Sequence, residues 1–260
     1  MLFDLTHILY MLVSAVLSAA LLVWAFFFVK TEDKKALFLK IVAIVTVVLH
    51  YSNIWVEYFG NGGSTDGLEN SHLFPIHPCH IMMWLLFITA FIKNKQSLPF
   101  TVLAEFCFWG GIVCGTIGIV LNVNYQNTPS LADWDILKGL LSHSTLLIGC
   151  IYMRVTGYIK LRVFNVLSCA VGLSLFIVDG LFANWLYAVC GLPEVNAMYL
   201  LHSPFPSMPW LSPMLMGLVG LSLLFVGLAL YELSFPEEER WYHKLKIKIQ
   251  EMKNSKRSHQ

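Results

Sequence analysis

The chain has 260 residues, 57% of them hydrophobic and only 13% charged, with a mean hydropathy of +0.66. A soluble domain carries about twice that share of charge, so a solvated surface cannot be built from this composition, and lipid is the solvent that fits it. A formal net charge of +1 argues against a nucleic-acid partner, but the charge is unevenly spread: seven of the 17 Lys and Arg fall between Arg240 and Arg257.

Met1-Leu2-Phe3-Asp4 has no basic stretch before the first apolar run, and that run is long enough to span a bilayer, so no cleaved signal peptide is expected. Seven apolar stretches follow in chain order, at about 7–29, 36–59, 77–92, 98–121, 134–157, 162–190 and 210–234. A spanning helix needs about 20 residues; most of these qualify, and the third is short. The fold class expected is an all-α bundle of seven transmembrane helices over residues 1–235, followed by a basic tail over 236–260.

The basic residues orient the bundle. Lys30, Lys34 and Lys35 lie in the first break, Lys93 and Lys95 in the third, and Arg154, Lys160 and Arg162 around the fifth, whereas the second, fourth and sixth breaks hold no Lys or Arg. Lys138 alone falls on the other side. This alternation is the positive-inside pattern, which predicts an amino terminus outside and the tail in the cytoplasm, resting on anionic lipid. Trp55, Trp134, Trp185 and Trp210 fall near the predicted outer ends, as interfacial anchors do. Gly111, Gly115 and Gly118 on the fourth helix read as a packing face. The outer connections are long: 60–76 is rich in Gly, and 191–209 holds four prolines. No internal repeat is visible, which weakens a transporter built from two halves.

Ionisable groups at membrane depth are costly and often functional. On the second helix His50, Asn53 and Glu57 share one face in the outer half. The third helix opens with Pro75-Ile76-His77-Pro78-Cys79-His80. His143 lies about 14 Å along the fifth helix from Trp134, and Asp179 and Asn184 lie in the outer half of the sixth. Each has a plain reading as a satisfied core histidine or as interhelical glue, and Glu105 reads as structural. Together they predict a polar cavity in the outer half.

Of the six cysteines, Cys107, Cys114, Cys150 and Cys169 sit inside apolar runs and read as small core residues, so they form no disulfide framework. Cys79 differs. Pro78 suits the first helical position, which puts Cys79 in the first turn, where free amides and the helix dipole favour a thiolate. His77 and His80 flank it, and His143 is a candidate base. The competing readings are a buried structural thiol, a Cys79–Cys190 disulfide, and a metal site built from His77, His80 and His143.

The segment Pro75-Ile76-His77-Pro78-Cys79-His80 resembles the opening of a helix in the YwaF-like bacterial membrane proteins and in their eukaryotic relatives, transmembrane protein 164. The likeness extends to Ser142-His143, Asn184-Trp185-Leu186, Asn196-Ala197-Met198-Tyr199-Leu200 and Pro209-Trp210, and covers most of the chain from about residue 45. Ile76 and Pro78 stand where the bacterial members have leucines. The resemblance implies thiol-dependent acyl transfer between membrane lipids in a bacterial plasma membrane. Cys79 is then the nucleophile, and no cofactor or metal is required. His143 becomes the base, with His77, His80, His50, Asp179 and Asn184 in support. A transporter or small-molecule receptor using the same polar groups is the main alternative, and a metal-dependent hydrolase a further one.

The topology is directly testable. Reporter fusions after Lys35, Lys95 and Lys160 are expected to report cytoplasm, and fusions within 60–70 and 195–205 the opposite side. A cytoplasmic signal from 60–70 overturns the orientation.

Overall fold

The computed structural model describes residues 3–60, 62–63, 74–122, 125, 130–204 and 207–258, without the side chains of 248 and 251–258. Most of the predicted 60–76 connection lies outside the described residues. Eight α-helices appear among those described: α1 (Leu5–Phe28), α2 (Glu32–Gly60), α3 (Pro78–Phe91), α4 (Leu98–Val120), α5 (Trp134–Val155), α6 (Asn165–Val189), α7 (Pro213–Glu232) and α8 (Trp241–Ser258). The described residues contain no strand.

Helix starts follow local chemistry. Asp4, Ser97 and Ser212 cap α1, α4 and α7 by accepting amide hydrogens from His7, Phe100 and Leu215. Prolines open α3, α4 and α7, where the missing N–H costs nothing. Asp4 also accepts from the Tyr125 hydroxyl at 2.8 Å; the His7 amide and that hydroxyl hold its carboxyl below the usual carboxylate range.

Six helices (α1, α2, α4, α5, α6 and α7) are long and apolar enough to cross a membrane. The exception is α3, which has 14 residues and a rise of about 21 Å, against a hydrocarbon core of about 30 Å. The burial pattern is that of a bundle in lipid. α7 buries only Leu228 and Glu232, and α1 only His7 and Ala25, while Leu12, Val16, Leu218 and Leu223 are exposed. Trp55, Trp185 and Trp210 are exposed as well, whereas the Trp134 indole donates to Ser52 at 3.0 Å.

α5 lies at the centre, packed along α2 and α4. The core around it includes Leu39, Met82, Leu86, Phe100, Leu146 and Tyr152. The expected small-residue face of α4 forms the seam with α5. A Cβ on Gly111 would stand 2.1 Å from the Cys150 sulfur, and one on Gly115 3.2 Å from the His143 carbonyl. Glu105 accepts from Ser168 at 2.5 Å, tying α4 to α6.

At the Lys-rich end, Lys95 donates to the terminal carbonyls of α3, Thr89 at 3.2 Å and Ala90 at 2.9 Å. Glu232 is buried at the end of α7 and accepts the amides of Val163 and Trp241, each at 2.7 Å. One carboxylate thus joins the start of α6, the end of α7 and the start of α8. The basic tail is helical, and Arg162 pairs with Glu239 at 3.0 Å beside it.

The seam gives a stability test. Gly111→Ala has no room for its methyl and should lose about 1–3 kcal/mol, while Gly220→Ala on α7 meets nothing within 4 Å and should change stability by less than about 0.5 kcal/mol. Thermal melts of the two variants in detergent, followed by size-exclusion chromatography, check the difference.

Candidate active site at the start of the third helix

The site is built on the short helix. His77 is its extended N-cap residue and Pro78 its first helical residue, so Cys79 and His80 occupy the first turn, where backbone amides lack intrahelical acceptors. His80 donates its amide to the His77 carbonyl at 3.0 Å. Cys79 is a free, half-buried thiol, and Cys190, also free, is exposed. No disulfide joins them.

Histidines from α2, α3 and its N-cap meet here. The His80 ring lies 4.3 Å from that of His50 on α2, centroid to centroid, and 5.0 Å from that of His77. His143 and Lys138 lie within electrostatic range of His80. α2 continues from His50 to Gly60, so the start of α3 sits about 15 Å inside the end of its neighbour. The Nδ1 atoms of His77 and His80 are buried and have no hydrogen-bond partner among the described residues.

α4 makes space for the His143 ring of α5. A Cβ on Gly118 would lie 1.9 Å from the His143 ring. The ring Nδ1 sits 2.7 Å from the Gly139 carbonyl. A carbonyl only accepts, so Nδ1 carries the hydrogen and Nε2 keeps its lone pair. The packing glycine is therefore also what seats a candidate base.

On α2, His50 and Asn53 are buried, and Asn53 donates to Glu57. Asp179 and Asn184 on α6 approach from the other side. Asp179 and Cys79 both lie within electrostatic range of Tyr51. The Asp179 Oδ2 and Asn184 Nδ2 atoms are buried without partners among the described residues. Asn184 has a structural task at its other end, where its oxygen accepts the Ala197 amide at 3.0 Å.

Three participants escape a reading of the sequence by type and spacing. Lys138 is 6% exposed, pairs with Asp135 at 3.0 Å and lies within electrostatic reach of Cys79; its signal was its isolation on the side that otherwise lacks cations. Tyr51 accepts the Trp84 indole hydrogen at 2.7 Å and packs edge-on against His50; nothing in the sequence marks it. Tyr199 stacks on His77, with centroids 5.6 Å apart and an interplanar angle of 28°. It belongs to the Asn196–Leu200 motif, and burial pushes its phenol up, keeping it a hydroxyl donor at neutral pH.

Two surface clefts stand out, and neither touches this cluster. One, of about 210 Å³, lies between the Lys30 end of α1 and Thr156, and the other, of about 320 Å³, faces outward between α6 and α7. Among the described residues no three His, Cys, Asp or Glu side chains are placed to hold a metal ion.

The Asn184 bond generates a prediction. Asn184→Ala removes the acceptor of a partly buried amide and should cost about 1–2 kcal/mol. The loss should appear as faster hydrogen exchange across 196–202, with exchange on α4 and α5 unchanged. Unaltered exchange in 196–202 contradicts the assignment.

Known proteins bear on the chain at one point. No curated protein and no solved structure matches it. Residues 2–231 match the TMEM164 family along nearly the whole described bundle, and the chain with its thiol, histidines and helical membrane architecture belongs to that family.

Proposed function

We propose that the protein is a membrane-embedded, thiol-dependent acyltransferase that works on phospholipid acyl chains from the outer leaflet, with Cys79 as nucleophile and His143 as base. The observation that carries this reading is the placement of Cys79: a free thiol in the first turn of a helix, beside a cluster of histidines. Family membership supports it, since the resemblance of the Pro78-Cys79-His80 segment implies acyl transfer. The orientation follows the Lys and Arg asymmetry, with α3 as the seventh crossing and the Lys-rich α8 against anionic lipid.

The chemistry starts with the thiol proton passing to His143 Nε2, the nitrogen left unprotonated by the Gly139 contact. The sulfur then bonds to the ester carbonyl carbon, and the carbonyl π pair moves onto oxygen. Collapse of that intermediate breaks the bond to the glycerol oxygen, which takes the proton back from His143. A thioester remains on Cys79, and a lysolipid leaves. The hydroxyl of a second lysolipid, or water, reverses the sequence and frees the thiol.

The mutational test separates chemistry from folding. Cys79→Ala and Cys79→Ser should remain folded, with stability lowered by less than about 1–2 kcal/mol. Transfer of labelled acyl chains in proteoliposomes should nevertheless be lost in both, because a serine hydroxyl needs stronger activation than a thiol. His143→Ala should lose a similar factor, and the double variant little more, since the pair acts as a unit. Undiminished turnover in Cys79→Ala rules out the nucleophile.

A further inference from the structure

The segment from Asn196 to Leu200 is held in a conformation that side chains resist. Met198 and Tyr199 have φ of 51° and 57°, the left-handed region that non-glycine residues seldom enter and almost never in succession. Strain of this kind persists only where the surroundings fix it, and it concentrates at functional sites. Here the surroundings fix it at every residue. Asn196 accepts the amides of Leu201 and His202 at 2.9 and 3.1 Å and donates to the His202 carbonyl at 2.8 Å. Asn184 holds the Ala197 amide. The Met198 amide donates to the Ile76 carbonyl at 2.8 Å, joining the segment to the chain that leads into α3. Gly180 lets the segment approach α6: a Cβ there would lie 2.9 Å from the Met198 Cβ and 3.0 Å from the Ala197 carbonyl oxygen.

These restraints share one product, the position of Tyr199. Its ring lies over His77, two residues before Cys79, and its phenol is within electrostatic range of Cys79. If the segment served only to close the bundle, a glycine at either left-handed position would do so without strain. What a glycine cannot supply is the phenol.

We propose that Tyr199 is a further catalytic residue, its hydroxyl donating a hydrogen bond to the carbonyl oxygen that becomes negative when the Cys79 sulfur adds to an ester. This rests on the acyl-transfer reading. The phenol keeps its proton throughout: the oxygen gains the carbonyl π pair as the sulfur–carbon bond forms, the Tyr199 O–H stabilises that charge, and the pair returns when the bond to the leaving oxygen breaks. The stacking on His77 fixes the phenol ring before substrate arrives, and a donor held in place in this way is the preorganisation that oxyanion stabilisation requires.

Tyr199→Phe is the discriminating variant, because it keeps the ring over His77 and removes only the hydroxyl. In full-length protein in proteoliposomes, kcat for acyl transfer should fall about 100–1,000-fold. KM and the thermal midpoint should stay within about twofold and 2 °C of wild type, as expected when an interaction made only in the transition state is lost. A purely structural Tyr199 predicts the opposite, namely wild-type kcat in Tyr199→Phe, and a loss of less than threefold overturns the assignment. Cys79→Ala run in parallel keeps the two claims apart. An inactive Cys79→Ala beside a fully active Tyr199→Phe defeats the Tyr199 role alone, whereas a fully active Cys79→Ala defeats the acyl-transfer reading and the Tyr199 role with it.

Discussion

The constraint on which the rest of the structure depends is the length of the third helix. With 14 residues it is too short to fill the hydrocarbon thickness by itself, and in lipid no backbone amide can be left to find water. Its first turn therefore opens inside the bundle, beside His50 rather than beside the end of α2, and the protein must surround that opening with polar groups of its own. At the opposite end the same shortness exposes carbonyls, which Lys95 covers. A helix of ordinary length would have put Cys79 at the surface and left the histidines without a reason to converge.

Space for those polar groups comes from missing side chains. Gly118 gives the His143 ring its place, and Gly180 gives the Met198 backbone its place. Both glycines lie in helices, where they are unfavourable on propensity alone, so their contribution is close approach. The packing that stabilises the bundle and the geometry that places these polar groups are the same contacts. A substitution at Gly118 or Gly180 therefore bears on the site as much as on stability.

Much of this was legible in the sequence, because lipid imposes simple rules. The apolar stretches predicted the helices to within a few residues, as with 134–157 against the observed Trp134–Val155, and the expectation that Pro78 opens α3 matches the structure. The shared face of His50 and Asn53 follows from helical spacing, and both residues are buried. What spacing could not supply is contact through irregular chain. Tyr199 reaches His77 only because its segment is bound to Asn184, Ile76 and Gly180, three partners distant in sequence. Lys138 looked like an exception to a topological rule, and its burial beside Asp135 gives the physical reason for the exception. The helical tail was hidden by its alternating Lys and apolar residues, a pattern with no helical period until Trp241, Leu245 and Ile249 are seen to share one side.

The central claim is that acyl chains pass through a covalent bond to one sulfur. Its most direct measurement is peptide mass spectrometry of protein quenched in acid after incubation in proteoliposomes with phospholipid carrying an isotopically labelled acyl chain. The account predicts the labelled acyl mass on the peptide containing Cys79, removable by neutral hydroxylamine as a thioester is. Measurable transfer with no label on that peptide, or with the label on Cys114 or Cys190 instead, contradicts it.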